Sequence, residues 1–302
     1  MSEVLDYRIF VRAASIGNMS QVARELGLSA AVISKRLGRL EDSLGVRLLN
    51  RTTRQISLTE AGRAFYEHIV TALAAIDEGE SAASGGASQA NGVLRISAPS
   101  VFSRLHITPK LGPLIDQHPH LMLALDINDG YSDLVADGID VAIRIMAPEN
   151  SSLIARRLAP NRRLLCASPA YLARHGTPRT LAELEGHRLL NASSSVRWRM
   201  EGPEGPITLR PSSMIETNSS DAVREMVIAG LGISLRSTWD VSQLLRNGTL
   251  VRVLPQYHGA SDIGIYAVYS SRRFVPMKIR LFVDYLIQLY GSPPYWDEGI
   301  PD

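Results

Sequence analysis

Apolar residues recur at helical spacing over roughly the first eighty positions, and strand-like apolar runs alternate with helical ones after them. Near the start, Gly27 separates two short helical patterns. Ser20 and Ser29 precede these patterns and are expected to cap them, because a serine hydroxyl accepts a hydrogen bond from the first turn. Two helices joined this tightly cross at a steep angle, so the pattern predicts a helix-turn-helix. Apolar residues spaced four, three and four apart form one stripe on the second helix; they are Ile33, Leu37, Leu40 and Leu44.

The opposite side of the second helix is small and polar. A helix with short side chains on one face can approach base edges in the major groove of DNA. Any helical domain can contain two short helices around a glycine turn, and spacing alone leaves that alternative open. The expected DNA contacts on this helix are Ser29, Ala30, Ala31, Ser34, Lys35 and Arg36.

Basic residues are concentrated around this helix. The formal net charge of the whole chain is only +2, but residues 24–54 contain seven Arg or Lys against three Asp or Glu. The segment Arg51-Thr-Thr-Arg54, followed by alternating apolar and polar residues, is typical of a hairpin wing that presents arginines to phosphate. Arg51, Thr53 and Arg54 are therefore added to the expected contacts. Residues 1–59 are interpreted as a winged helix-turn-helix domain.

A long helical pattern follows and ends in the Ser-, Gly- and Ala-rich residues 81–92, a composition typical of a flexible hinge. Its apolar residues recur at the spacing of a helix that pairs with a second copy of itself. Packing of the same residues against their own domain is the alternative. Residues 60–90 are interpreted as a dimerisation helix and hinge. The expected dimerisation residues are Phe65, Ile69, Ala72 and Ile76.

From Val93 onward, strands alternate with helices, which favours a parallel sheet with crossover helices. We expect residues 91–302 to form a two-lobed α/β domain, with lobe I at about 91–167 and 266–302 and lobe II at about 168–265. Ligands of such sheets bind at the carboxyl ends of strands, near helix N-termini, where N–H groups suit an anion. Simple helix capping is the alternative for the serine and asparagine residues. The expected small-molecule contacts are Ser100, Val101, Phe102, Arg144, Thr217 and Asn218.

Composition excludes several classes of protein. With Cys166 as the only cysteine, neither an internal disulfide nor a Cys-rich metal site can form, and we expect a buried, inert thiol there and no cofactor. We find neither a signal-peptide pattern nor an apolar run long enough for a membrane span, so the expected location is cytoplasmic, with no membrane partner. An exported solute-binding protein would need such a signal, and an enzyme would need a convergent catalytic set that we do not find.

Several motifs agree in order and spacing with one family. They are Ser29-Ala-Ala-Val-Ile-Ser34, Leu40-Glu41, Leu44-Gly45, Leu58-Thr-Glu-Ala-Gly62, Asp140-Val-Ala-Ile-Arg144 and Ala229-Gly-Leu-Gly-Ile233. In these segments the chain resembles the LysR-type transcriptional regulators. The resemblance implies an effector domain shaped like a type II periplasmic binding protein. The expected helix N-termini and Arg144 favour a small anionic metabolite as the effector, and the lack of a catalytic set predicts that the protein is not an enzyme. The resemblance also implies a homodimer or homotetramer on a pseudo-palindromic double-stranded DNA operator, with RNA polymerase as a further expected partner.

Overall fold

The structure is a computed structural model that describes residues 3–51, 56–83, 90–130, 134, 137–148, 153–192, 197–211, 215–270 and 275–300. Two of the expected DNA contacts, Thr53 and Arg54, lie outside these ranges, as do residues 84–89 of the hinge. Within the ranges, no helix combines the length and apolar character that a bilayer crossing requires. No group of three His, Cys, Asp or Glu side chains in them is placed to hold a metal ion.

The N-terminal part of the chain folds into a helical domain with a small hairpin, followed by a long helix. The hairpin strands pair antiparallel, with Leu49 opposite Leu58 and Arg51 opposite Ile56. This arrangement is the predicted winged helix-turn-helix. In chain order the elements are α1 (Glu3–Ile16), α2 (Met19–Leu26), α3 (Ala30–Leu44), β1 (Leu49–Arg51), β2 (Ile56–Leu58) and α4 (Glu60–Ala83).

Side-chain caps and one glycine set the turn between α2 and α3. Gly27 ends α2 with φ 63°, a left-handed conformation that glycine adopts without a steric penalty. Ser29 caps α3 as predicted, because its Oγ accepts from the Val32 N–H at 3.3 Å. The expectation for Ser20 is wrong. Asn18 caps α2 instead, with its Oδ1 accepting from the N–H of Gln21 at 3.1 Å.

The apolar stripe of α3 packs against α1. Ile33, Leu37 and Leu40 are buried in one core with Phe10. Leu44 was expected in the same stripe but is 42% exposed. It is the last residue of α3, and the helix stops at Gly45 with φ 68°, so its side chain projects beyond the core.

A close approach fixes the start of α4 against the two residues that precede β1. The Thr59 hydroxyl accepts from the Gly62 N–H at 2.9 Å and donates to the Arg47 carbonyl at 2.8 Å. A Cβ atom added at Gly62 would lie 1.9 Å from the carbonyl oxygen of Leu48. Only glycine fits this contact, which gives a physical reason for the Ala-Gly pair that follows Leu58-Thr59.

The C-terminal part of the chain forms two α/β lobes. A π-helical turn at Ser103–Ile107 and a 3-10 turn at Thr108–Lys110 follow α5. The elements are β3 (Gly92–Ala98), α5 (Ser100–Phe102), α6 (Gly112–Gln117), β4 (Leu121–Ile127), β5 (Val141–Met146), β6 (Ile154–Pro160), β7 (Arg163–Ala167), α7 (Pro169–His175), α8 (Leu181–Glu185), β8 (Trp198–Gly202), β9 (Gly205–Leu209), α9 (Ser220–Ile228), β10 (Ser234–Ser237), α10 (Thr238–Arg246), β11 (Val251–Arg252), β12 (His258–Gly259), β13 (Gly264–Tyr269) and α11 (Met277–Tyr290).

Each lobe is built on one sheet. The sheet of lobe I has the order β4-β3-β5-β13-β6, and β3 runs parallel to both β4 and β5, as the alternating pattern predicts. The sheet of lobe II has the order β10-β7-β12-β8-β9. Its strands pair antiparallel. The expectation of parallel pairing is therefore right for the first half of lobe I and wrong for lobe II.

The chain first crosses from lobe I to lobe II and later returns, and the first crossing differs from the expected boundary. Residues 163–167 were expected in lobe I, but Cys166 of β7 pairs with Ser234 of β10, which places this strand in lobe II. The crossing is at Asn161 and Arg162. The return crossing ends just before Gly264, which pairs with Met146 in lobe I.

The residues after α11 form a third connection between the lobes. Trp296 is buried in the hydrophobic core of lobe I, whereas Ile300 packs in a core of lobe II with Val241 and Leu250. Arg246 of α10 donates to the Trp296 carbonyl at 3.0 Å. The C-terminal tail, residues 291–300, is thus anchored on both sides of the hinge.

Candidate functional site

One face of α3 presents short side chains to solvent, as the sequence predicts. Its first turns expose Ala30, Ala31 and Ser34, and Lys35 is exposed beside them. Gly38, one turn further on, has open space where a Cβ atom would be. A flat, small-residue face with one cation fits the depth and width of a DNA major groove.

Arg36 does not belong to this face, although it was expected to contact DNA. Its Nη1 donates to Asp6 Oδ1 of α1 at 2.6 Å, and only 11% of its side chain is accessible. The position follows from helical spacing, since residue 36 lies three positions after Ile33 and four before Leu40. It therefore belongs to the apolar stripe, and its guanidinium joins α3 to α1.

Further cations lie in α3 and in the segments directly before and after it. Arg24, Arg39 and Arg47 are exposed on the same domain. Arg51 lies on β1 opposite Ile56, at the base of the wing.

Glu25 of α2 is held by two arginines, one of them in lobe I. Arg12 donates to its carboxylate, and Arg95 Nη2 lies 3.1 and 3.2 Å from its two oxygens. Burial alone would raise the pKa of Glu25, but the hydrogen bonds and charges of Arg12 and Arg95 outweigh it and lower that pKa. The negative charge of Glu25 is therefore compensated within the chain.

The expected dimerisation residues of α4 divide into two pairs. Phe65 and Ile69 pack in the core of their own domain, and the Phe65 and Phe10 rings lie 5.3 Å apart. Within one chain these two residues follow the alternative of packing against their own domain, because the first turns of α4 cover α1; their part in dimerisation stays a prediction. Ala72 is exposed and Ile76 is half-buried.

An ion pair joins the two lobes. Arg104 Nη2, in the π-helical turn of lobe I, lies 3.1 Å from Asp221 Oδ1, in the first turn of α9 in lobe II. Both side chains are about half exposed, 54% and 46%. Arg224 Nη2 lies 3.4 Å from the same Asp221 oxygen. This contact between the lobes thus combines two guanidiniums and one carboxylate.

Three of the expected small-molecule contacts lie at or beside helix starts near this ion pair. The Ser100 N–H donates to Asp129 Oδ1 at 2.8 Å, so this backbone donor is already used. The Thr217 Oγ1 accepts from the Ser219 N–H at 3.1 Å, and Ser219 caps α9. Asn218 is exposed. Thr217 therefore orders the loop before α9, and the Asn218 amide faces solvent.

Arg144 is a buried cation near the carboxyl edge of the lobe I sheet. It is 9% exposed, and its guanidinium lies 3.3 Å from Ser97 Oγ and 3.2 Å from the Ile143 carbonyl oxygen. The same edge carries the hinge, since Gly264 pairs with both Met146 and Pro160. Arg144 therefore lies toward the side of lobe I from which the chain crosses to lobe II.

Phe102 and Val101 are core residues, and the expectation that they contact a ligand is wrong. Phe102 is 0% exposed and Val101 is 6% exposed. The Phe102 ring packs edge-on against Trp239 and Trp296, at 5.2 and 6.0 Å. Trp239 belongs to α10 of lobe II, so the Phe102 ring is buried where the two lobes meet.

His106 is an interlobe residue that sequence reasoning did not identify. Its Nε2 lies 2.8 Å from the Trp239 carbonyl oxygen and its Nδ1 lies 2.7 Å from the Tyr295 hydroxyl. A carbonyl only accepts, so Nε2 carries the hydrogen. Burial lowers the pKa of His106, which favours the neutral ring, and Nδ1 then accepts from Tyr295. Partners 133 and 189 positions away leave no local signal in the sequence.

Cys166 lies on β7 and is fully buried. Burial raises the pKa of its thiol to about 12. Because the thiolate is the reactive form, this cysteine is a poor nucleophile in the folded protein.

Two family comparisons match the two parts of the chain. Residues 5–63 match the family described as bacterial regulatory helix-turn-helix protein, lysR family. Residues 87–290 match the LysR substrate binding domain. The second match alone covers more than half of the chain.

The chain is similar over almost its whole length to several transcriptional regulators. The chain is 37% identical over 291 residues to the HTH-type transcriptional regulator DmlR of Escherichia coli, covering 95% of this chain and 94% of DmlR. It is 30% identical to the full-length Vibrio cholerae virulence activator AphB, with a TM-score of 0.59 over 95% of this chain and 99% of AphB. CrgA of Neisseria meningitidis, a LysR-type transcriptional regulator, matches at 30% identity and a TM-score of 0.59, covering 95% and 98% of the two chains.

Proposed function

Since the chain belongs to the LysR family of transcriptional regulators, we propose that it binds an operator through the exposed face of α3 and adjusts this binding to a small anionic metabolite. The observation that carries the proposal is the small-residue face of α3, which is exposed, capped at Ser29 and flanked by cations. In this proposal Ser29, Ala30, Ala31 and Ser34 face the base edges. Lys35 and Arg51 contact the phosphates.

A charge introduced at Ala31 tests the DNA interface. Ala31 is the second residue of α3, where a carboxylate favours the helix but opposes phosphate. We expect Ala31→Asp to weaken operator binding at least tenfold in a mobility-shift titration. The matched control is Ala182→Asp, which introduces the same charge at the second residue of α8, also exposed. Equal operator affinity in both variants would refute the proposed interface.

The effector site in this proposal lies in the cleft between the lobes. Arg144 supplies a cation at the sheet edge, Ser100 and Thr217 supply hydroxyls, and Asn218 supplies an amide. A ligand shifts the angle between the lobes only by its difference in affinity for the two arrangements. A bound anion would also compete with Asp221 for Arg104, because both would pair with the same guanidinium.

Calorimetric titration against a panel of organic acids, amino acids and neutral analogues tests the effector class. We expect at least one small carboxylate to bind, and Asn218→Ala to weaken it. Binding of a neutral compound together with no binding of any anion in the panel would contradict the proposed class. The expected contact with RNA polymerase stays a prediction.

We propose that the protein acts as a homodimer or a larger symmetric assembly of dimers. Ala72 and Ile76 remain available on α4 for pairing, and β4, at one end of the lobe I sheet, exposes Met122, Leu125 and Ile127 by 65, 37 and 39%. Two DNA-binding domains would then read half-sites about one helical turn apart. Light scattering at the concentrations used for operator binding tests this, and a monomer that binds the full operator would overturn it.

A further inference from the structure

A cavity at the hinge is separate from the residues assigned to the effector cleft. It has a volume of about 440 Å³, within the usual range for small-molecule sites. Both chain crossings between the lobes contribute to its wall. The polar residues that line it are Arg157, Asn161, Arg162, Arg252, His258 and Ser261.

The charge of this cavity is one-sided. Among the described residues that line it, three are arginines, one is a histidine and none is acidic. Arg162 donates to the Ile300 carbonyl at 3.3 Å, and Arg252 donates to the Pro255 carbonyl. These hydrogen bonds orient the two guanidiniums at the wall of the cavity.

Two carboxylates close to the cavity are engaged by other groups. Glu201 lies opposite His258 in the sheet, and its Oε1 accepts from both the N–H and the hydroxyl of Ser261 at 2.9 Å. Asp262 Oδ2 lies 2.6 Å from Arg199 Nη2. Asp262 is therefore compensated by Arg199, whereas Glu201 is hydrogen-bonded to neutral donors and keeps its charge at the rim of the cavity.

We propose that the hinge cavity is a second ligand site, which takes a small organic polyanion such as a di- or tricarboxylate. Guanidinium groups bind carboxylates through paired hydrogen bonds, and a ligand with several carboxylates can engage more than one arginine. Arg157 belongs to lobe I, whereas Arg252 belongs to lobe II. A polyanion that contacts both arginines binds best at one angle between the lobes. It would therefore be a second ligand, beside the effector, that shifts this angle.

Calorimetry with citrate as the probe tests this site in the full-length protein, at constant ionic strength because added salt screens charges. We expect citrate to bind the parent protein, and Arg157→Gln to weaken it at least tenfold. Arg156→Gln is the matched control. Arg156 precedes Arg157 on β6 and pairs with Asp284 at 2.6 Å outside the cavity, so its loss should change citrate affinity less than twofold.

Three results would overturn the proposal. They are no citrate binding by the parent protein, equal losses in the Arg156 and Arg157 variants, and a loss with Asn218→Ala while Arg157→Gln binds normally. The last result would place the anion in the effector cleft. Arg252→Gln provides a second test if Arg157→Gln proves unstable in thermal unfolding. Operator affinity measured without citrate should be the same in both hinge variants, which separates this proposal from the DNA-binding function.

Discussion

Lys35 and Arg36 are adjacent cations in α3, and their surroundings predict different effects when each is replaced by glutamine. The Arg36 guanidinium lies 2.6 Å from Asp6, and the two side chains are 11 and 21% accessible. Lys35 is exposed. Arg36→Gln should therefore loosen the contact between α3 and α1, whereas Lys35→Gln should leave the domain intact and weaken DNA binding.

The burial of the Arg36–Asp6 pair sets the size of the effect. Exposed ion pairs contribute about 0.2–1 kcal/mol, and removal of one partner from a fully buried pair costs about 3–5 kcal/mol. A pair with this intermediate accessibility should cost about 1–3 kcal/mol when Arg36 is replaced. Such a loss would speed the exchange of the most protected amides in α1 and α3 by roughly 5- to 150-fold, if exchange occurs through opening of the domain.

Hydrogen exchange measured by mass spectrometry on the full-length protein separates the two variants, because peptides from the lobes provide an internal reference. For Lys35→Gln we expect unchanged exchange. The slope of log affinity against log salt concentration should become shallower by about one. The reasoning fails if Arg36→Gln leaves exchange unchanged and lowers the salt slope, since Arg36 would then be a DNA contact.

Other parts of the molecule give three further predictions. Gly62→Ala should lower the free energy of unfolding of the N-terminal domain by about 1–3 kcal/mol, because its Cβ would meet the Leu48 carbonyl. Gly38 has open space around it, so Gly38→Ala should raise that free energy by up to about 1 kcal/mol. Urea titration measures both changes. Burial holds the pKa of His106 below 6.5, so below about pH 6.5 the unfolded chain binds more protons than the folded protein does. The free energy of unfolding should therefore decline as the pH falls, and His106→Gln should make that decline less steep. Cys166 should not react with an aromatic disulfide reagent at pH 8 until the protein is unfolded, and rapid labelling of the native protein would contradict its burial.

Features that depend on neighbouring positions were predictable from the sequence. The two helices around Gly27, the Ser29 cap and the stripe of α3 follow from spacing and local hydrogen bonds. The family motifs predicted a helix-turn-helix followed by an effector domain, and the two family matches confirmed it. Even here, competition between nearby caps mattered. Asn18 and Ser20 are both good capping residues, and the one that begins α2 depends on where the chain leaves α1.

Features that depend on distant partners were not predictable in this way. Helical spacing places Arg36 on the buried stripe of α3, but its partner Asp6 lies thirty positions earlier and is found only in the fold. Phe65 has the spacing of a dimer seam but meets Phe10, and Phe102 follows a strand end but meets Trp239 and Trp296. In each case tertiary contacts fix the direction of a side chain, and sequence periodicity reports only that the residue lies on some covered face.

The C-terminal tail acts as a tether of fixed length between the lobes. Trp296 is embedded in one core and Ile300 in the other. A chain of four residue steps reaches at most about 14 Å when fully stretched. Beyond that span the two anchors can move apart only if one of them leaves its core. Rotation of one lobe against the other is therefore limited to a small angle. A larger opening requires that the tail first detach from one of the lobes.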